Sequence, residues 1–270
     1  MLNKLAINIK NNFILYKRSK LLIILGIILL VFYGLTSLPY LITVSFTGKL
    51  SGISTILRNL HGFSSLFLVI VLLVGLNYPV KNRCLKMIIT KPCQPETWLL
   101  SNYISSILIA LIINVLIFII ACIFFVIWDM GFQLSLVYIF FDRFLHLVLI
   151  LSHITFLMMV FGVWGAVIFG IILTDSFFFY MTNMFSALHT SAAGSAGKII
   201  YLVIQKLFYF IYLVIPMSNP FSKETNLIYR NFRVESSDWQ YMFYTLIYTA
   251  LIAGFFYLVN SYLLKRKRLI

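Results

Sequence analysis

The sequence predicts an all-α polytopic membrane protein: six transmembrane helices preceded by an N-terminal amphipathic helix at the interface. Three observations predict it. Of 270 residues, 62% are hydrophobic and 10% are charged. Soluble domains are about half apolar and about a quarter charged, and so few polar groups would not cover a water-facing surface. The apolar residues gather into runs long enough to cross a bilayer. Lys and Arg concentrate in alternate segments between those runs, as the positive-inside rule requires.

The elements follow in order. Over residues 1–20, Leu2, Leu5, Ile9, Phe13 and Tyr16 recur at spacings of three and four, with Lys4, Lys10, Asn11 and Asn12 between them. That pattern predicts an amphipathic cytoplasmic helix in the membrane interface. The transmembrane domain then occupies 21–264, with spans expected over 21–46, 63–80, 98–127, 144–173, 199–217 and 241–264. The first, third and fourth runs exceed one bilayer thickness and need a tilt, a kink or an extension. Pro39 marks a break near the end of the first, and 132–141 reads as a short external helix. Residues 218–240 carry Lys223, Glu224, Arg230, Arg233, Glu235 and Asp238, which predicts a solvated external segment. Residues 265–270 form a basic cytoplasmic tail through Lys265–Arg268.

Fourteen Lys and Arg fall on one predicted side and six on the other, with Lys206 inside the fifth span. This places both termini in the cytoplasm. No small-x-small cleavage site follows the first run, so it is expected to remain as an anchor. The net charge of +14 sits in short clusters beside apolar runs, so no nucleic-acid partner is expected. Membrane lipids are the expected surroundings.

Few residues carry recognisable chemistry. Cys84, Cys93 and Cys122 have no zinc-ligand spacing. The stretch Ala193-Gly194-Ser195-Ala196-Gly197-Lys198-Ile199 imitates a phosphate-binding loop, but Ala192 stands where its first glycine belongs. Ile199 stands where a magnesium-binding hydroxyl belongs. Asp142, His146 and His153 share one helical face and form the best polar cluster. Their simpler reading is interfacial polarity plus a histidine bonded to a neighbouring helix. No metal site is assigned. His61-Gly62-Phe63-Ser64 hints at a serine nucleophile, yet no base or oxyanion hole accompanies it. Acidic groups near the midplane, expected of an ion-coupled carrier, are missing from the spans. Gly162, Ala166 and Gly170, like Ala250 and Gly254, have the spacing that lets helices approach closely in lipid.

The loop over 81–97 is more telling. It reads Lys81-Asn82-Arg83-Cys84-Leu85-Lys86-Met87-Ile88-Ile89-Thr90-Lys91-Pro92-Cys93-Gln94-Pro95-Glu96-Thr97. Leu85, Ile88 and Ile89 form one side of a short helix that Pro92 stops, and Pro95 and Glu96 suit the first turn of the next. The segment resembles the cytoplasmic coupling segment of type 2 ATP-binding-cassette (ABC) exporter permeases, with Ile88-Ile89-Thr90-Lys91-Pro92 and Leu99-Leu100 in the family's positions. The family often has Gly-Lys where this chain has Ser101-Asn102. The N-terminal helix, six spans, external segment and basic end are similar as architecture.

The resemblance implies a permease subunit without nucleotide chemistry of its own, in the bacterial cytoplasmic membrane. A second permease subunit, identical or related, would pair with it. Separate ABC ATPase subunits would supply ATP and Mg. Arg83, Leu85, Lys86, Ile88, Ile89, Lys91 and Glu96 would contact the ATPase. Phe208, Tyr209 and Tyr212 are candidates for the path of a lipid-like, peptide or other amphipathic cargo. Two other classes compete: a membrane-embedded lipid-modifying or metal-dependent enzyme, and a non-catalytic assembly subunit.

Overall fold

The computed structural model describes residues 2–18, 49–81, 95–129, 131, 133–172, 175–191, 194–214 and 234–268, with scattered positions between 20 and 35. No strand occurs among the described residues. The helices are α1 (Leu2–Arg18), α2 (Lys49–Lys81), α3 (Pro95–Ile127), α4 (Leu134–Ile172), α5 (Asp175–Ser191), α6 (Ser195–Val214) and α7 (Ser236–Arg268). Among the described residues, four stretches are long and apolar enough to cross a membrane: Thr55–Leu73, Glu96–Ile127, Leu134–Ile168 and Ser236–Arg266. The chain is a multi-pass helical membrane protein. The expected first span, with Pro39, falls mostly outside the described residues.

Helices α2, α3, α4 and α7 pack together. Their buried side chains form two clusters. One gathers Leu68, Leu72, Leu99, Leu147, Leu157 and Leu264. The other gathers Ile53, Ile56, Phe125, Leu136, Tyr138 and Met242 near the opposite ends of the same helices. Lipid removes most of the hydrophobic drive for helix association, so close packing and polar contacts carry it instead.

Helix α3 has 33 residues, about 50 Å at 1.5 Å per residue, against a hydrocarbon core of about 30 Å. Its excess length is used. The first turns carry Ser101, Asn102, Ser105 and Ser106, all buried, and α1 packs against α3. Asn12 Nδ2 donates to Ser105 Oγ at 3.2 Å, and the Tyr16 hydroxyl hydrogen-bonds with Ser106. Leu5, Ile9, Phe13 and Tyr16 are half-buried, whereas Ile7 and Leu15 are exposed. The α1 stripe thus meets protein along part of its width.

One sequence expectation is corrected, and one of the alternatives left open for the long fourth run is decided. Residues 134–141 are not a separate external helix: they are the first turns of α4, continuous with the rest. Nor is α4 one straight helix. Gly162 has φ 74° and ψ −174°, a combination essentially confined to glycine. In an unbroken helix, residues 154 and 170 would be about 24 Å apart. Instead, a Cβ added to Gly170 would lie 3.0 Å from Ile154 Cδ1. The chain doubles back at Gly162: half-buried Gly170 approaches Ile154 and Leu157 of the preceding leg, and Ala166 is fully buried. That leg, 134–161, still has enough length to span alone.

Helix α5 lies between the fourth and fifth expected spans. It pairs with α6 as a hairpin. Aromatic rings form the seam: Phe185 stacks on Phe208 with centroids 5.4 Å apart, and Phe179 meets Tyr212 at 5.8 Å.

Helix α7 starts on a reciprocal cap. Asp238, fully buried, accepts from the Glu235 backbone N–H through Oδ2 at 2.9 Å. Its own N–H donates back to the Glu235 carbonyl at 3.0 Å. An acidic residue in the first turn also complements the helix dipole.

Candidate functional site

Polar side chains collect at two levels of the four-helix core. The level beside α1 is built mostly from α3, α4 and α7. Most of its hydroxyls are satisfied by their own helices. Ser101 Oγ donates to the Trp98 carbonyl at 2.7 Å, Ser105 Oγ to Ser101 at 2.7 Å, and Ser152 Oγ to Val148 at 2.8 Å. Such back-bonding lets a hydroxyl sit in an apolar interior at little cost.

Tyr103 is different, because it bonds across helices. Asn260 Nδ2 of α7 donates to its hydroxyl at 3.0 Å, and Thr155 of α4 also hydrogen-bonds to it. One phenol therefore ties three helices. Its ring meets Tyr257 edge-on, with centroids 5.9 Å apart. Just beyond, Lys265 Nζ lies 2.7 Å from Glu96 Oε1, and the Tyr257 hydroxyl reaches the Glu96 carbonyl at 3.5 Å. The start of α3 and the end of α7 are joined here.

The second level lies toward the other ends of the helices. His61 of α2 and Asn114 of α3 are 4% and 1% exposed, and both line a narrow cavity. Asn114 Nδ2 donates to the Phe140 carbonyl of α4 at 2.8 Å. Arg143 and His146 lie within electrostatic range of His61, and Asp142 interacts with Arg143. Lys49 Nζ closes this end of the bundle by donating to the Trp128 carbonyl at 3.0 Å.

The sequence-predicted residues are distributed as follows. Arg83, Leu85, Lys86, Ile88, Ile89 and Lys91 lie outside the described residues. Glu96 sits at the α3–α7 junction. Phe208, Tyr209 and Tyr212 lie on α6; Phe208 and Tyr212 pack onto α5, and Tyr209 is half-exposed beside Tyr212. Asp142 and His146 belong to the second level. His153 is separated from them by its packing, its ring stacked on Phe256 of α7 at 5.7 Å and 9°. Among the described residues, no three His, Cys, Asp or Glu side chains are grouped to hold a metal ion.

Ser64 Oγ donates to the His61 carbonyl at 2.8 Å, so its hydroxyl serves its own helix. The loop-like stretch at Gly194–Lys198 is a helix start: the Lys198 N–H donates to the Gly194 carbonyl at 3.1 Å. The Lys198 carbonyl lies 2.9 Å from His189 Nδ1. Gly162, expected to bring helices together, has nothing within 4 Å of an added Cβ; its role is the reversal.

Sequence reasoning missed His61, Asn114, Tyr103 and Asn260 as partners. The available signal was an isolated polar residue within an apolar run, which in lipid needs an internal partner. Compared with family models, curated proteins and solved structures, the chain matches none.

Proposed function

We propose that this chain is the membrane permease subunit of a type 2 ABC exporter. It spans the membrane six times, the two further spans being 21–46 and 199–217, with both termini in the cytoplasm. It moves a lipid-like, peptide or other amphipathic cargo, driven by ATP hydrolysed on separate ATPase subunits.

The observation that carries this reading is the junction at Glu96. Glu96, near the end of the coupling loop, is ion-paired to Lys265, the first residue of the basic tail. The N-terminal helix docks on the same end of α3 through Asn12 and Ser105. A displacement of the loop would therefore reach α1, α3 and α7 together. Such coupling also requires the ATPase to contact the loop differently in its two nucleotide states.

The test is co-purification followed by mutation. An ABC ATPase is expected to accompany the chain in mild detergent. Ile88→Asp is expected to abolish ATP-driven transport while leaving the chain in the membrane. Normal transport and normal ATPase assembly in that variant would sink the proposal.

A further inference from the structure

The cavity between α2, α3 and α4 is lined by polar, aliphatic and aromatic side chains. His61 and Asn114 line it together with Leu57, Phe118, Ile139 and Phe140. Phe118 and Phe140 meet edge-on with centroids 5.5 Å apart, and both are half-buried. His61 Nδ1 and Asn114 Oδ1 are buried atoms without a protein hydrogen-bond partner. Asn114 cannot turn freely to satisfy its oxygen, because its nitrogen is held by the Phe140 carbonyl. An unmatched polar atom at membrane depth is costly, so two of them lining one cavity point to a guest.

The chemistry narrows what the guest is. Asn114 Oδ1 only accepts, so the guest donates at least one hydrogen bond. That excludes an aprotic anion. Arg143 and His146 lie near His61, with Asp142 beside Arg143, so carboxylate and guanidinium offset one another and the surroundings call for no charged guest. His61 Nδ1 accepts or donates according to its tautomer; a water, with two O–H donors, meets either case, whereas an alcohol's single O–H, given to Asn114 Oδ1, requires His61 Nδ1 to carry the proton. The cavity is narrow and admits a guest of about water size.

We propose that this cavity binds one neutral hydroxyl group, bridging α2 to α3 through His61 Nδ1 and Asn114 Oδ1. Two sources share that chemistry: a single water, or the hydroxyl end of a small alcohol whose carbon chain stays outside the water-sized space. The site is independent of the permease reading.

The test uses the full-length chain, labelled with ring-¹⁵N histidine and reconstituted in lipid vesicles. Water-edited solid-state NMR reads the four histidines, and His61 is assigned by its loss in His61→Gln. The expected result is a hydrogen-bonded Nδ1 that receives magnetisation from water. Asn114→Leu is expected to abolish the transfer, Asn114→Asp to retain it, and Asn102→Leu, at the other level, to leave it unchanged. Adding n-butanol separates the sources. Replacement of the water transfer by butanol contacts shows that the site accepts either hydroxyl, whereas persistence of the water transfer shows that it takes water alone. A wild-type His61 with an unbonded Nδ1, and no contact to water or butanol, overturns the proposal without relying on any variant.

Discussion

Gly162 has open space around it and a backbone that side chains rarely adopt. The two facts separate sterics from conformation. Gly162→Ala should cost about 1–3 kcal/mol through φ/ψ strain alone, although nothing obstructs the methyl. Gly170→Ala presents the opposite case: ordinary helix, but a Cβ 3.0 Å from the flexible end of Ile154. It should cost less, because the contact is with the far end of a side chain and the backbone is unstrained. Thermal unfolding of both variants in one detergent checks the order; equal losses would remove the argument for a conformational reversal. Tyr16 supplies a pH signature outside the spans. Burial raises its pKa above the usual 10.0, partly offset by its bond to Ser106. A raised folded-state pKa means that this contribution is complete below pH 10 and is lost as pH climbs through the folded value. Docking of α1 should therefore loosen at alkaline pH, and Tyr16→Phe should remove that dependence. Fluorescence from a probe on α1 would read it.

Between elements, the strongest specific tie is Tyr103 with Asn260 and Thr155. A cross-helix hydrogen bond in lipid is worth about 0.6–2 kcal/mol. Asn260→Leu should lose about that much and leave the Tyr103 hydroxyl only its bond with Thr155. Tyr103→Phe combined with Asn260→Leu should lose less than the sum of the single changes, because no buried polar group is left over. A double-mutant cycle on unfolding midpoints measures this. The Glu96–Lys265 pair differs in kind. Its side chains are 30% and 61% exposed, so water and salt screen it and its contribution to stability is below about 1 kcal/mol. Its value is positional. In a background without the native cysteines, Glu96→Cys with Lys265→Cys should cross-link readily through a short bifunctional reagent. Absence of the cross-link in the membrane-embedded chain would contradict the α3–α7 junction.

At the scale of the whole molecule, orientation is the property most open to test. Single cysteines at Gln133 and Glu235 should react with an impermeant reagent from outside intact cells. Cysteines at Lys10 and Lys265 should react only after permeabilisation. The reverse pattern would invert the topology. Much of the architecture was legible beforehand, because hydropathy acts locally. Four of the expected spans, over 63–80, 98–127, 144–173 and 241–264, overlap stretches long and apolar enough to cross, at 55–73, 96–127, 134–168 and 236–266, although the reversal at Gly162 interrupts the third of these. The ends were less legible. Helix α3 begins at Pro95 and α4 at Leu134, beyond the apolar windows, because capping and packing set helix ends while hydropathy sets only the lipid-facing length.

The sequence by itself determined the solvent: 62% hydrophobic residues in bilayer-length runs leave no stable alternative to helices in lipid. Tertiary structure alone decided the reversal at Gly162, since a glycine in an apolar helix reads equally as a packing residue or as a break. It also decided which polar residues meet. Asp142, His146 and His153 share a face on one helix, yet His153 is taken by Phe256, whereas His61 and Asn114 arrive from other helices. Spacing along a chain fixes the face of a single helix. Which faces confront one another depends on how helices far apart in sequence pack, and no local pattern records that.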